Sequence, residues 1–453
     1  LFFLFVTPVY AEENLYDKDL LTKNFHKLRR EALRKQMPPN TVAIFFSAPI
    51  RIKSNDVDYP YHQDPDFYYL TGLREPNSLL LVFKDETQIG KSKNKEFIFV
   101  QDRDPKSELW NGRRFGKDGV EKELGFSSVF LNTEIETLPY DFSKIKVLIT
   151  NIPAGMVDNP EDKAELFDMV KYISERIKYP NGNIDKETLY SIMADLRQEK
   201  QAEELTLLRN AIDMTCDGIK ELMKALNPDM TEYQSQAIIE YFFKKNGSEE
   251  PGFPSIVGGG ENSCILHYES NRKKLESKDL LVCDVGAEYH GYSADVTRTL
   301  PVNGKFNAEQ KLIYNLVLNA QEEGIKQCKP GNNFFDPGKT ASKIISKGLK
   351  ELGIIKNEED YKKYFPHGTS HYLGLDVHDI GKYEQLKNGD VITVEPGIYI
   401  PAGSDCDKKW WNIGVRLEDD VLITEKGYEI LSSCVPKKIE EVEAIMKEKS
   451  SFK

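Results

Sequence analysis

The segment HGTSHYLGLDVHD, residues 367–379, holds three of the chain's seven histidines and is punctuated by two glycines. Imidazoles packed that closely suit metal ligation or acid–base work. His367 and His371 stand at i,i+4, the spacing of the two histidines in an H-E-x-x-H zinc peptidase helix. Gly368, however, takes the place of that motif's general-base glutamate. Gly368, Thr369 and Gly374 are also weak helix formers, so the segment is expected to be extended or looped. A metal bound here must draw most of its ligands from elsewhere.

Carboxylates in apolar runs are the other half of such a site. DLLVCDVGAEYHGYSADVTRTL (279–300) reads as a hairpin with its turn near 289–291. Centring the turn between Tyr289 and His290 sets Asp284 directly opposite Asp295. Like charges so placed destabilise a hairpin, and Asp284 follows the apolar run LLVC, so the pair requires a compensating cation. Glu395 ends DVITVEPG, where Pro396 keeps its backbone extended and Gly397 permits a sharp departure. Glu418 interrupts the apolar strand GVRLEDDVLIT. Four carboxylates and one imidazole, with no thiolate, suit Mn²⁺, Co²⁺ or Zn²⁺ better than a closed structural zinc site. Four negative charges can hold two ions, and two ions about 3.5–4 Å apart can hold a bridging hydroxide and polarise a carbonyl.

Placing these groups takes a large framework. At 453 residues the chain is expected to form two to three domains. Lys and Arg number 61 against 73 Asp and Glu, a net charge of −12, and no basic stripe interrupts the acidic background, which argues against a nucleic-acid partner. No 18-residue apolar run follows the N-terminus, so no membrane span is expected. The opening LFFLFVTPVYAEE resembles the end of a secretory signal peptide. Residues 1–23 are read as that remnant and its lead-in, which would make the protein periplasmic or secreted, and cytoplasmic otherwise. The six cysteines are scattered without C-x-x-C, and buried free thiols are the default reading, with one pair at the surface allowed for.

Residues 24–198 alternate β-rich runs (TVAIFFSAPI, SLLLVF, KEFIFV, KVLIT) with helix-like stretches and read as a smaller α/β domain. A long helix over 200–226 opens the second domain, 199–440, where strands and glycine turns are interleaved with helices in an α+β pattern. Residues 441–453 read as a charged, solvated tail. The three glycines of IVGGGENS lack the P-loop Lys and Ser/Thr and read as a turn.

DVGAEYHGYSADVTRT, HGTSHYLGLDVHD, TVEPGIYI and GVRLEDD resemble, in order, the motifs of the dinuclear "pita-bread" metallopeptidases, specifically the aminopeptidase P (Xaa-Pro aminopeptidase) family. YHQDPDFYYLTGLREPNSLLLVF and ELWNGRRFG are similar to the N-terminal domain that accompanies that catalytic domain. The resemblance implies metal ligands at Asp284, Asp295, His371, Glu395 and Glu418, with Asp295 and Glu418 bridging two divalent ions, Mn²⁺ foremost. It also implies that Glu395 shuttles the proton of the nucleophilic water and that His378 contacts the substrate and steadies the tetrahedral intermediate. His267 and His367 would line the substrate site, Arg416 would stand near the proline pocket, and Tyr399 and Trp110 would form its aromatic walls. In some relatives that tryptophan comes from a neighbouring subunit, and a homo-oligomer, dimer or tetramer, is the corresponding expectation. His26, His62 and His290 have no such match and are read as structural.

The chemistry implied is hydrolysis of the bond between a first residue and a second-position proline in a peptide. That bond is a tertiary amide whose nitrogen lacks a hydrogen and whose ring fixes φ, so a peptidase that depends on that N–H for register fails on it. Prolidase, which shares fold and ligands but takes Xaa-Pro dipeptides, is the alternative, and HGTSH resembles aminopeptidase P more. The complete ligand set disfavours metal-free creatinase-type relatives, and the large N-terminal half disfavours methionine aminopeptidases. A non-catalytic pita-bread module that binds peptides or proteins is the remaining reading, which a metal assay would separate.

Overall fold

The computed structural model describes residues 19–137, 140–158 and 164–452. The signal-like opening therefore lies outside the described residues.

The run TVAIFF is buried along its whole length because the strand it forms, Thr41–Phe46, sits inside a six-stranded mixed sheet. It pairs antiparallel with Leu79–Ile89 and parallel with Lys146–Leu148. Alternate residues point to opposite faces. Val42, Ile44 and Phe46 enter a core with Met169, Val170 and Ile173 of the helix Leu166–Ile177. Ala43 and Phe45 join Phe25 and Leu33 of the first helix, Lys23–Gln36, in a second core. That second core continues without interruption into residues of the C-terminal half such as Leu207, Cys283 and Val415, so the two halves share apolar packing.

The C-terminal half is built on short antiparallel sheets, besides the two-stranded tip Glu288–Tyr289 and Tyr292–Ser293. One pairs Leu280–Val285 with Val296–Pro301 and Ile256–Gly259, one pairs Val391–Val394 with Asp419–Thr424 and Gly427–Ile430, and one pairs Gly397–Ile400 with Ile413–Arg416. Helices Ala202–Ala225, Glu232–Lys245, Ala308–Ile325 and Asp336–Glu351 accompany them. Among the described residues no helix is long and apolar enough to cross a membrane.

Three expectations change. The hairpin turns one position later than expected: Tyr289 pairs with Tyr292, and His290 and Gly291 occupy the turn with positive φ. Asp284 therefore faces Thr297 rather than Asp295. The slip moves the pairing by two residues, an even number, so Asp295 keeps its face and becomes the diagonal neighbour of Asp284. Second, the helix Ile439–Ile445, solvated over Glu440, Glu441 and Ala444, is also docked: Ile439 and Val442 are buried and Ser450 and Ser451 hydrogen-bond Glu221. Third, Cys216 and Cys434 form a disulfide, whereas Cys264, Cys283, Cys328 and Cys406 are free.

Charge also joins the halves. Arg197, at the end of the helix Glu187–Gln198, is buried and donates to Asp66 of the N-terminal domain at 2.8 Å, to Asp376 at 2.7 Å and to Asp379. Lys200 donates to the other oxygen of Asp379 at 2.8 Å. Asp376 and Asp379 lie in the HGTSHYLGLDVHD loop, so this guanidinium ties that loop to both domains. Arg197→Ala leaves buried carboxylates short of a partner, a change that costs about 3–5 kcal/mol. Chemical denaturation is expected to show that loss, with Arg197→Lys recovering part of it.

Candidate metal centre

HGTSHYLGLDVHD is without helix, as its glycines require, and its backbone is pinned to a strand. His371 N donates to Thr393 Oγ1 at 3.1 Å, and the His371 carbonyl accepts from Thr393 N at 3.0 Å. His371 Nδ1 lies 3.0 Å from the Tyr372 carbonyl, which leaves Nε2 as the ring atom available to a metal. Nε2 is 3.3 Å from Asp295 Oδ2 and 3.8 Å from Glu395 Oε1. Ligand atoms of Asp295, His371 and Glu418 all lie within 4.8 Å of one another. Glu418 is fixed by Thr297, whose hydroxyl donates to its Oε2 at 2.7 Å. Glu395 follows the strand Val391–Val394, with its backbone N–H bonded to the Thr369 carbonyl at 2.8 Å. Asp284, buried at the end of its strand, completes the set from beside Asp295.

The donors fit divalent cations. Asp284 Oδ1, Asp295 Oδ1 and Asp420 Oδ1 are buried oxygens with no hydrogen-bond partner among the described residues. A buried carboxylate oxygen without a partner is costly, and a cation removes the cost. Burial, and then the neighbouring carboxylates, hold the Asp295 and Glu418 carboxyls well above the usual range. Burial likewise pushes Glu395 up to about 7.

Around this cluster lie the other residues expected at the site. Arg416 Nη2 donates to Asp284 Oδ2 at 2.7 Å and Nη1 to Tyr399 Oη at 2.9 Å, so the arginine holds a candidate ligand as well as an aromatic wall. His367 Nε2 lies 2.8 Å from Tyr399 Oη, and burial together with Arg416 lowers its pKa to about 4, which keeps it neutral at pH 7. His378 packs edge-on to His371 with ring centroids 4.4 Å apart, and burial with the charges of His371 and His267 lowers its pKa. His267 is exposed, close enough to influence both His367 and His378. Trp110 is not brought to the cluster: it is 84 % exposed on the short helix Pro105–Asn111, and a ring that exposed walls no pocket of its own chain. His26, His62 and His290 have partners elsewhere, the Tyr69 carbonyl, Glu288 and Glu249 respectively.

The sequence reading passed over Asp420. Its Oδ2 accepts from Asp295 N at 3.2 Å, and its carboxyl is held well above the ordinary range by burial. The signal was present: 416, 418 and 420 recur at the period of two that places residues on one strand face.

Comparison with known proteins agrees with this geometry. Residues 206–425 match the model of metallopeptidase family M24, and residues 26–145 match that of the aminopeptidase P N-terminal domain. Xaa-Pro aminopeptidase of Escherichia coli is 36% identical over 92% of this chain and 96% of its own length. The structure of E. coli aminopeptidase P with the inhibitor Pro-Leu superposes with a TM-score of 0.84 at 35% identity, covering 94% of this chain and 98% of that one. Zn-substituted E. coli aminopeptidase P in complex with product gives the same TM-score at 34% identity with the same coverage. The chain belongs to the aminopeptidase P family of M24 metallopeptidases, and is a divalent-metal-dependent exopeptidase with the pita-bread fold.

Carboxyls with pKa values above their unfolded values bind more protons in the folded state, so their contribution to stability is lost as pH rises through the folded pKa. For Glu395 that interval runs from 4.5 to about 7. Metal binding needs the same groups deprotonated. The rise in Tm on adding Mn²⁺ is therefore expected to be small near pH 5 and to widen toward pH 7.5, as calorimetry of metal-free and metal-loaded protein would record. A rise that shrinks over that interval would contradict the assignment.

Proposed function

We propose that this protein removes the N-terminal residue from peptides whose second residue is proline, using two divalent ions, Mn²⁺ foremost, with Co²⁺ and Zn²⁺ accepted by the same donors. The observation that carries the reading is the convergence of Asp284, Asp295, His371, Glu395 and Glu418 with three histidines, 267, 367 and 378, grouped beside them. The E. coli relative is called an Xaa-Pro aminopeptidase, and its structure with Pro-Leu bears directly on the substrate class.

Asp295 and Glu418, whose ligand atoms converge with that of His371, would hold the ions together with Asp284 and Glu395. When bound, the ions would activate water at neutral pH and polarise the scissile carbonyl. Glu395 takes the proton of that water and returns it to the proline nitrogen, which lacks a hydrogen of its own. His378 and His267 bind the substrate, and His378 donates to the developing oxyanion. Neutral His367, joined to Tyr399, offers an uncharged wall to the proline ring. Arg416 keeps Asp284 oriented.

Exposed Trp110 and its neighbour Leu109, 82 % exposed, are a natural contact for a second copy of the chain, which supports the homo-oligomer reading. The Cys216–Cys434 bridge supports a periplasmic or secreted location, since such bonds persist in oxidising compartments.

An Xaa-Pro-Yaa tripeptide, the matching Xaa-Pro dipeptide and an Xaa-Ala-Yaa control, each given to the Mn²⁺-loaded protein, test the proposal. Release of the first residue from the proline tripeptide is expected, with Glu395→Gln about 10²–10⁴-fold slower in kcat. Cleavage of the dipeptide alone would make the protein a prolidase, and silence on all three with metal bound would remove the peptidase reading.

A further inference from the structure

The disulfide is placed where it bears on the metal centre. Cys434 is partly buried and belongs to the short segment 431–435 that follows the strand Gly427–Ile430. Cys216 is buried in the helix Ala202–Ala225. Between the bridge and the ligands runs a connected set of hydrogen bonds. Ser432 Oγ donates to Asp419 Oδ1 at 2.7 Å and accepts from Asp420 N at 3.1 Å. Leu431 N donates to the Asp420 carbonyl at 2.8 Å. The Val435 carbonyl accepts from Arg298 Nη2 at 3.0 Å. Arg298 Nη2 also donates to Asp419 Oδ1 at 2.7 Å, while its Nη1 donates to the Glu418 carbonyl at 2.6 Å.

Cys434 thus stands between Ser432, which bonds the two residues after Glu418, and Val435, whose carbonyl holds the Arg298 that bonds the Glu418 carbonyl, and its bridge ties them to a core helix. Removing the bridge takes away the one covalent tie on the segment that supports Glu418 from behind and leaves it to its hydrogen bonds and packing. Partners of this kind orient metal ligands, and their loss typically costs about 10–100-fold in metal affinity.

We propose that Cys216–Cys434 is a thiol–disulfide exchange site that sets the metal affinity of this protein, with Ser432 as the positioning residue through which it acts. The proposal rests on the reading of Glu418 as a metal ligand. Its co-reactant is a dithiol. One thiolate of the dithiol attacks Cys434 Sγ, the more accessible sulfur, forming a mixed disulfide and releasing Cys216 as a thiol after proton uptake. The second thiolate then attacks the mixed disulfide and releases Cys434. Two electrons and two protons pass to the protein, and the dithiol leaves as a disulfide.

The test uses the full chain. Peptide mapping without reductant is expected to yield a linked Cys216–Cys434 peptide. Mn²⁺ affinity is then measured by titration of the oxidised chain, of the chain reduced with a small dithiol that is removed beforehand, and of Cys434→Ser. Reduction and Cys434→Ser are both expected to weaken Mn²⁺ binding about tenfold. Ser432→Ala should weaken it similarly with the bridge intact, its reduction should add no further loss, and Ser432→Thr, which keeps the hydroxyl, should retain affinity. An unchanged affinity accompanied by a lower Tm would overturn the proposal by making the bridge a structural brace alone, as would mapping that finds no linked peptide. An oxidised chain that binds no divalent ion would instead fell the ligand assignment and the proposal with it.

Discussion

Mutual repulsion among buried carboxylates governs the C-terminal half. Asp284, Asp295, Glu395, Glu418 and Asp420 approach one another where water is scarce, and burial alone already disfavours the charged forms of Asp295, Glu395, Glu418 and Asp420. A fold carries such a cluster only if other contacts over-determine the backbone around it. Each acidic residue accordingly sits at a strand or a strand end. Val391–Val394 brings Glu395, the pair of strands joined at Gly286–Asp295 brings Asp284 and Asp295, and the run from Arg416 to Asp420 brings Glu418. Apolar neighbours in those strands are buried, so the sheets hold by packing while the acids converge.

Fixed positive charge stands at the edge of this cluster and not in its middle. Arg416 meets Asp284 from one side, and Arg298 and Lys437 meet Asp419, which faces away from the ligands. Guanidinium groups at the periphery orient carboxylates through hydrogen bonds without taking the positions a metal would occupy. Arg197 and Lys200 hold the histidine loop by Asp376 and Asp379, on either side of His378, while Arg298 holds the Glu418 carbonyl and the Asp419 carboxylate. The N-terminal domain enters the same network through Asp66. Catalytic geometry and domain packing are therefore joined by the same few buried charges.

Errors of the sequence reading have specific causes. Hairpin register depended on where Gly291 falls in the turn, and a shift of one position in the turn moves every partner by two. The charged look of KKIEEVEAIMKEKSSFK concealed Ile439, Val442 and Met446, whose spacing is enough to cover a narrow strip of core. Cys216 and Cys434 are 218 residues apart, so no local pattern could pair them. Asp420 was readable from its period-two relation to Glu418 but gains meaning only when Asp295 N is placed beside it. Trp110 could not be assigned within one chain at all, since its ring lies out in solvent.

By itself the sequence determined the chemistry. Carboxylates set in apolar runs, with glycines and prolines that bend the chain beside them and histidines in a loop that cannot be a helix, are local facts, written in residue type and a period of two. They mark which side chains are candidates for metal binding and which strands or loops carry them. Tertiary structure alone decided which of those side chains meet, which arginines hold them, that two distant cysteines bridge behind Glu418, and that one core runs through both domains. Such contacts join positions tens to hundreds of residues apart, and their energy comes from burial and charge pairing that exist only once the strands have packed.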